Sequence, residues 1–242
     1  MLILGWNRRT PALLHAFDRV STERFEVDVL SLIPATERLD DMERYDTTPL
    51  PSVRHLAGDY TSRADLVAVH PEIYDHIVLL AVDWALSEAE SDARTVLGFL
   101  VLQETLQDKK TRPAVLIEWM DPANETMLEH YPHESLVTPV LLSSLLTHIT
   151  LRRELRSVFD VLLDSEGPEI AIKTADQLGL ANRPFCFDDL YELLGDSGEI
   201  PLGLYILTPE PSSSGAHILL NPDRNTEWIL KTEDAVVVLT TS

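Results

Sequence analysis

Cysteine is almost absent from this chain, since Cys186 is the single thiol among 242 residues. One cysteine cannot form an internal disulfide, and such scarcity is typical of proteins of the reducing cytosol. Because Cys186 lies between Phe185 and Phe187, we expect a buried structural thiol there. The composition therefore argues against a small secreted domain held together by disulfides.

Basic residues are also scarce, with 19 Lys and Arg against 40 Asp and Glu, which gives a net charge of −21. Nucleic-acid binding needs clustered Lys and Arg to neutralise phosphates, so no nucleic-acid partner is expected. The same deficit argues against binding to anionic membrane surfaces. An acidic chain can attract cations, divalent metal ions included, but acidity also simply keeps a protein soluble.

Long apolar runs are missing as well. A membrane-spanning helix needs about 18 uninterrupted apolar residues, and the best stretch, residues 137–151, is interrupted by Pro139 and several polar residues. Arg8 and Arg9 follow the short apolar start, which is unlike a secretory signal peptide. The sequence therefore predicts a cytoplasmic chain whose apolar residues, 45% of the total, form a core.

Short apolar strands alternate with helices along the first half of the chain. The predicted elements are strand 2–4, a helix from Thr10, strand 27–32, helix 35–42, strand 53–57, helix 62–69, strand 76–82, helix 87–106, strand 113–118 and helix 122–130. This alternation predicts an α/β fold with a Rossmann-like, doubly wound parallel sheet. The predicted inward face of the longest helix consists of Ala93, Val96, Leu97, Leu100 and Val101.

The second half of the chain changes character. Residues 139–163 are helical in pattern, but the apolar stripe shifts phase near Thr150, which predicts two helices that each need a partner surface. Strands are predicted at 169–173, 218–220 and 234–239, with a helix at 185–194 and a mobile loop at 209–215. We therefore predict three parts: a Rossmann-like lobe (1–138), crossover helices (139–165) and a small α+β lobe (166–242).

The segment from Gly5 to Thr10 lies where a phosphate-binding loop would join a strand to a helix N-terminus. A dinucleotide loop needs three glycines, but Asn7 and Thr10 occupy the second and third positions. The second strand also lacks a terminal acid for a ribose hydroxyl, which argues against NAD. Arg8 and Arg9 can still hold a phosphate or carboxylate, and the alternative is an ordinary start of a surface helix.

Carboxylates follow two further strands at the edge where open α/β sheets bind ligands. Asp59 comes after Gly58 and can either contact a ligand or form a turn with its own backbone. Asp83, Glu88 and Asp92 follow the fourth strand and are candidate ligands of a hard cation such as Ca²⁺. The alternative is a solvated helix start, because acidic residues there are favoured by the helix dipole.

Several ordered segments resemble one known family. They are Ile-Leu-Gly-Trp-Asn-Arg-Arg at 3–9, Leu-Ala-Gly-Asp-Tyr-Thr at 56–61, Ser-Asp-Ala-Arg at 91–94, Ser-Glu-Gly-Pro-Glu-Ile-Ala-Ile at 165–172 and Leu-Leu-Asn-Pro-Asp at 219–223. The chain resembles RCK (regulator of K⁺ conductance, TrkA-type) domains of cytosolic gating rings. Within these it is similar to the second RCK domain of the Castor/Pollux ion channel family, over essentially its whole length.

This resemblance implies a Rossmann-type lobe, crossover helices that pair subunits, and a TrkA-C-like lobe. It implies a homo-oligomer, with a dimer formed through the crossover helices and a gating ring at the cytoplasmic face of a membrane. The pore helices of the cation channel would lie outside this chain. In related nucleotide-binding domains the step that matches Gly58-Asp59 lines the ligand cleft, and some gating rings sense Ca²⁺. The resemblance does not identify the cofactor: a nucleotide and Ca²⁺ both stay open.

Signatures of enzymes are missing from the sequence, which contains no Gly-x-Ser-x-Gly elbow, no Gly-x-x-x-x-Gly-Lys loop and no Tyr-x-x-x-Lys pair. We therefore predict a ligand-sensing regulatory domain of a cation channel that is not an enzyme. Two alternatives stay open at this point. One is a soluble nucleotide-dependent oxidoreductase with a degenerate Rossmann loop, and the other is a freestanding regulatory subunit of a potassium transporter.

Overall fold

A computed structural model of the chain describes residues 1–19, 25–44, 52–164, 167–207 and 216–240. The chain divides into two compact units, Met1–Arg153 and Glu154–Ser242. The boundary falls between helices α5 (Thr138–Leu151) and α6 (Leu155–Leu162), so the helix break expected near Thr150 is confirmed. The division into three parts stays a prediction.

A six-stranded parallel sheet forms the centre of the described part of the first unit. Its strands are β1 (Leu2–Leu4), β2 (Val27–Ser31), β3 (Val53–Ala57), β4 (His76–Leu79), β5 (Ala114–Trp119) and β6 (Glu134–Val137). Their order is β3-β2-β1-β4-β5-β6, and every neighbouring pair is parallel. This order reverses between β1 and β4, as in Rossmann folds, and confirms the predicted fold class. The sixth strand was not predicted.

Helices connect these strands. They are α1 (Thr10–Arg19), α2 (Ala35–Arg44), α3 (Arg63–Ala68) and α4 (Glu88–Leu106), and α5 follows the last strand of the sheet. Ser62 and Ser87 cap α3 and α4, because each hydroxyl accepts a hydrogen bond from a free backbone N–H of the first turn. The helix predicted at 122–130 is instead a 3₁₀ helix, Pro122–Leu128. Every helix in the described part of the chain is too short or too polar to cross a bilayer.

Both faces of the parallel sheet are buried. Side chains alternate across a strand, so Leu2 and Leu4 pack into one apolar cluster while Ile3 packs into another on the opposite face. Complete burial of each such side chain contributes about 1.5–3 kcal/mol to stability. The apolar β1 sequence is thus explained by its position at the centre of a sheet that is covered on both sides.

The inward face of α4 differs from the predicted one. Val96 and Val101 pack against the core as predicted. Leu97 and Leu100 are instead 50% and 39% exposed, and the fully buried apolar residues are Phe99 and Leu102, so the prediction from apolar spacing was right only in part. The reason is a tertiary contact, because the ring of Tyr60 lies directly against the backbone of Gly98. That contact turns the Gly98 side of the helix towards the core and leaves the more continuous apolar stripe partly exposed.

Arg38 of α2 is fully buried beneath the sheet edge. Its guanidinium donates hydrogen bonds of 2.9 Å to the backbone oxygens of Val29 and Leu56, and so joins β2 to β3. Burial lowers the pKa of this guanidinium from its ordinary value. It also lies 6.0 Å from the ring of Trp6, a distance at which a cation is attracted by the aromatic face.

The second unit is an α+β structure. After α6 it contains β7 (Glu169–Thr174), β8 (Pro184–Cys186), α7 (Asp189–Gly195), β9 (Ile200–Leu207), β10 (Ala216–Leu220), β11 (Glu227–Ile229) and β12 (Ala235–Thr240). An antiparallel sheet has the order β10-β9-β12-β7, and β11 pairs with β8. Its core contains Phe187, Leu190, Leu204, Val236 and Val238.

Two predictions for this unit need correction. Residues 185–186 belong to strand β8, so the helix predicted at 185–194 begins only at Asp189. The predicted thiol Cys186 is partly and not fully buried. The loop predicted at 209–215 lies outside the described residues.

Replacement of Gly98 tests the Tyr60 contact. A Cβ at residue 98 would lie 2.3 Å from Cδ2 of Tyr60, so Gly98→Ala should lower the free energy of unfolding by about 1–3 kcal/mol despite the better helix propensity of alanine. Urea unfolding followed by tryptophan fluorescence measures this change. Gly195→Ala is the control, because a Cβ there meets nothing within 4 Å; an equal loss in both variants would contradict the packing explanation.

Candidate functional site

The candidate site lies at the carboxyl edge of the parallel sheet. The chain leaves β1, β3, β4 and β5 at this edge, since parallel strands end on the same side. Strand β1 pairs with β2 on one side and β4 on the other, so the loops after β1 and β4 meet where the strand order reverses. Open α/β sheets bind ligands at this position, and the predicted cofactor-binding residues all lie on loops of this edge.

Gly5 makes the first turn of the loop after β1. Its φ angle is +105°, a region that favours glycine, and an added Cβ would lie 2.9 Å from the backbone oxygen of Leu80. The Gly5 N–H donates a 2.9 Å hydrogen bond to the oxygen of Leu30. The loop is therefore held between the ends of β2 and β4. Any other residue in place of Gly5 would be strained.

Asn7 is buried and its side chain is used within the protein. The amide Nδ2 donates to the oxygen of Ala81 at 2.7 Å and to Oε2 of Glu118 at 3.3 Å. Its Oδ1 accepts from the backbone N–H of Arg9 at 2.9 Å, which caps the start of α1. The second glycine of a dinucleotide loop leaves room for a pyrophosphate, whereas here the Asn7 side chain fixes the loop to β4 and β5.

Glu118 is a site residue that the sequence analysis missed. Its side chain is 8% exposed and accepts hydrogen bonds from the N–H of Ala81 at 3.1 Å, Nη2 of Arg9 at 2.6 Å and Oγ1 of Thr138 at 2.6 Å. A buried carboxylate needs such partners, because an unpaired charge is very costly inside a protein. A glutamate within an otherwise apolar strand, residues 114–119, was the available signal.

Arg8 and Asp83 contact each other directly. Oδ2 of Asp83 accepts from the backbone N–H of Arg8 at 2.9 Å and from its Nε at 3.0 Å. The Arg8 side chain is 84% exposed, so the charge pair alone contributes little to stability. A predicted cofactor-binding residue thus partners a predicted metal ligand, and together they connect the loops after β1 and β4.

The three predicted Ca²⁺ ligands are not brought together. Asp92 is buried, and its carboxylate accepts hydrogen bonds from the N–H of Met120 and of Asp121, both at 2.9 Å, so it fixes the loop after β5. Glu88 is exposed on the first turn of α4. Within the described ranges no three His, Cys, Asp or Glu side chains are grouped so that they could hold a metal ion.

Asp59 forms both a turn and an ion pair. Its Oδ1 accepts from the N–H and hydroxyl of Thr61, at 2.9 and 2.7 Å, and from Nη2 of Arg94 at 2.8 Å. Burial alone would raise the pKa of the Asp59 carboxyl, but the bonds from Thr61 and the Arg94 guanidinium outweigh it and hold the pKa below its ordinary value. The Arg94 guanidinium also lies 4.9 Å from the ring of Trp84 and 5.6 Å from that of Tyr60.

A cavity of about 770 Å³ lies at the opposite, amino edge of the sheet. The carboxylate of Asp28 there accepts hydrogen bonds from Arg54 and from the Tyr74 hydroxyl, and burial and the Asp28 carboxylate raise the pKa of Tyr74 to about 12. These groups satisfy one another. We therefore place the candidate site at the carboxyl edge, where the sheet topology and the predicted residues coincide.

The pH dependence of stability tests the Asp59 ion pair. A carboxyl with a lowered pKa stabilises the fold fully above its unfolded-state pKa of about 3.9, and this stabilisation is lost as the pH falls through the folded-state pKa. Asp59→Asn should therefore destabilise the protein at pH 7, and the difference from wild type should shrink below about pH 4. Urea unfolding between pH 3 and 7 measures it.

The matched control for this experiment is the Arg94→Gln background. Because Arg94 is one of the partners that favour the ionised carboxylate, Asp59→Asn should cost less stability in that background. A difference between wild type and Asp59→Asn that does not change with pH would contradict the ionic explanation.

The chain is similar along nearly its whole length to a protein described as a probable ion channel. It is 27% identical over 250 residues to the "Probable ion channel SYM8" of Pisum sativum, and this match covers 99% of the chain. The chain spans 26% of the length of the pea protein. No protein-family model matches the chain.

One solved structure with a high structural similarity shares the fold. The human SLO3 gating ring superposes with a TM-score of 0.69 at 14% identity, covering 99% of this chain and 47% of that one. The GsuK RCK domain superposes less well, with a TM-score of 0.41 at 12% identity over 100% of this chain and 44% of that one. The resemblance expected from the sequence is confirmed: the chain is homologous to a Castor/Pollux-like ion channel and has the fold of a gating-ring domain.

Proposed function

We propose that this chain is a cytosolic, ligand-sensing regulatory domain of a cation channel and contributes to a gating ring. The observation that carries the proposal is the match over 99% of the chain to a protein described as an ion channel. The fold of the SLO3 gating ring supports the regulatory part of the proposal. The pore helices would lie outside this chain, and the domain would work at the cytoplasmic face of a membrane.

The sensing step would take place at the carboxyl edge of the parallel sheet. A ligand held by the loop of Gly5, Asn7 and Arg8 and by Asp59 would favour one arrangement of subunits over another. The ligand can move the subunits as rigid bodies only if it binds one arrangement more tightly than the other. A nucleotide fits this loop better than a cation such as Ca²⁺, because Arg8 is cationic and no three described His, Cys, Asp or Glu side chains are grouped to hold a metal ion.

The domain would not be an enzyme. At the candidate site, Arg8 is bound to Asp83, Arg9 to Glu118 and Arg94 to Asp59. Such paired charges hold loops in place, because each carboxylate is engaged by a guanidinium of a neighbouring segment. The paired arrangement supports a binding and signalling role.

Helices α5 and α6 would provide the contact between subunits. No residue of either helix is buried within the described chain, and the exposed apolar side chains include Leu142, Leu146, Val158 and Val161. Contiguous exposed apolar surfaces mark interaction sites. We propose a homodimer formed through these helices, which could serve as a unit of a larger ring.

Light scattering tests this assembly. The chain should be a dimer or larger at micromolar concentration, and Leu146→Glu should shift it towards the monomer because a charge would be buried in the apolar contact. Ile73→Glu is the matched control, since Ile73 is similarly exposed (69%, against 56% for Leu146) but lies on the 3₁₀ helix Pro71–Ile73. A wild-type monomer at these concentrations would contradict the proposed assembly.

The Rossmann strand order keeps the oxidoreductase alternative testable. We expect no increase in melting temperature with millimolar NADH or NADPH, because Asn7 binds Ala81 and Glu118 where the dinucleotide loop needs open space. Bound ligand stabilises a protein in proportion to the logarithm of its concentration over Kd. Stabilisation together with turnover of a carbonyl substrate would support the enzyme. A stable complex with a potassium transporter subunit would support the freestanding regulatory subunit.

A further inference from the structure

The Glu118 carboxylate joins three segments that are far apart in sequence. Its donors are Asn7 and Arg9 after β1, Ala81 after β4, and Thr138, the first residue of α5. We propose that Glu118 is the positioning residue through which the loop after β1 controls the start of α5. The contacts themselves are independent of the proposed function, but their biological role rests on it, because α5 is one of the helices proposed to form the subunit contact.

The two carboxylate oxygens have different roles. Oε2 accepts from the Asn7 amide and from the backbone N–H of Ala81, both of which are buried and fixed. Oε1 accepts from Arg9 Nη2 and from Thr138 Oγ1, each at 2.6 Å. Arg9 and Thr138 therefore share one oxygen atom, and a change in the position of Arg9 alters the charge and geometry that the Thr138 hydroxyl meets.

The start of α5 depends on this oxygen to an unusual degree. Val137 occupies the N-cap position, and no side chain there accepts a hydrogen bond from the free N–H groups of the helix. Pro139 follows immediately and has no N–H to donate. The start of α5 therefore has no side-chain cap. Its first residue, Thr138, is fixed to the sheet by the hydrogen bond to Glu118.

Arg9 is the accessible end of the connection. Its side chain is 48% exposed, whereas that of Glu118 is 8% exposed. A ligand that attracts the Arg9 guanidinium at the carboxyl edge would draw it away from Oε1 without needing to reach the buried carboxylate. Arg8 has a different partner, Asp83 after β4, so the two adjacent arginines contact different segments of the chain.

Hydrogen exchange of the full 242-residue chain tests the connection without any ligand. Arg9→Gln should speed amide exchange in residues 141–146 of α5 about tenfold, because a hydrogen bond to a charged group shifts local opening by about this factor or more. Glu118→Gln should act in the same direction. Arg8→Gln is the matched control and should leave these amides unchanged, since Arg8 is bound to Asp83. Equal effects of Arg8→Gln and Arg9→Gln would overturn the proposal.

A double-mutant cycle gives a second, independent measurement. The substituted residues are exposed or half-buried, so the variants should still fold. Arg9→Gln and Thr138→Val share Oε1 of Glu118, so their effects on the unfolding equilibrium should be coupled at least threefold. The cycle of Arg8→Gln with Thr138→Val should be additive. An additive Arg9 cycle would overturn the proposal even if the chain forms the expected oligomer, whereas a coupled cycle in a monomer would overturn only the proposed function.

Discussion

The buried carboxylate of Glu118 joins several segments at the carboxyl edge of the parallel sheet. Glu118 lies on β5 and receives hydrogen bonds from the loop after β1, from the end of β4 and from α5. The central strand β1 has only three residues, so its following loop cannot be held by strand pairing alone. A charge buried at this point must be satisfied, and the donors that satisfy it are the same groups that define the loop of the candidate site. Structure and candidate function therefore depend on one set of contacts.

Much of the first unit could be predicted because parallel strands buried on both faces appear as short apolar runs. Five of the six described strands of this sheet were found in this way. The missed strand, β6, has the sequence Glu-Ser-Leu-Val and is only partly buried, so it lacks that signal. The phase of α4 could not be predicted either. It depends on the contact between Tyr60 and Gly98, which are 38 positions apart in the sequence. The spacing of apolar residues along the helix cannot predict such a long-range contact.

For the candidate site, the sequence indicated the positions but not the partners. Gly5, Asn7, Arg8 and Asp59 do lie on loops of the carboxyl edge, because the strand order places them there. Their partners come from elsewhere in the chain: Arg94 contacts Asp59 over 35 positions and Asn7 contacts Glu118 over 111. The Asp92 carboxylate is of a type that can bind a metal ion, but here it accepts hydrogen bonds from backbone N–H groups of a neighbouring loop. The type of a residue predicts which groups its side chain can bind. Which of those groups lies within hydrogen-bond distance depends on the fold.

The net charge of −21 has an electrostatic consequence for contact between copies of this chain. Acidic residues outnumber basic ones by 40 to 19. Arg38 is fully buried, but the side chains of Arg8 and Arg54 are mostly exposed, so the outer surface is acidic with cations distributed over it. Copies of such a surface repel one another over about one Debye length, which is ~8 Å at physiological salt. Any contact between copies of this chain is therefore opposed by like charge, and added salt weakens that opposition.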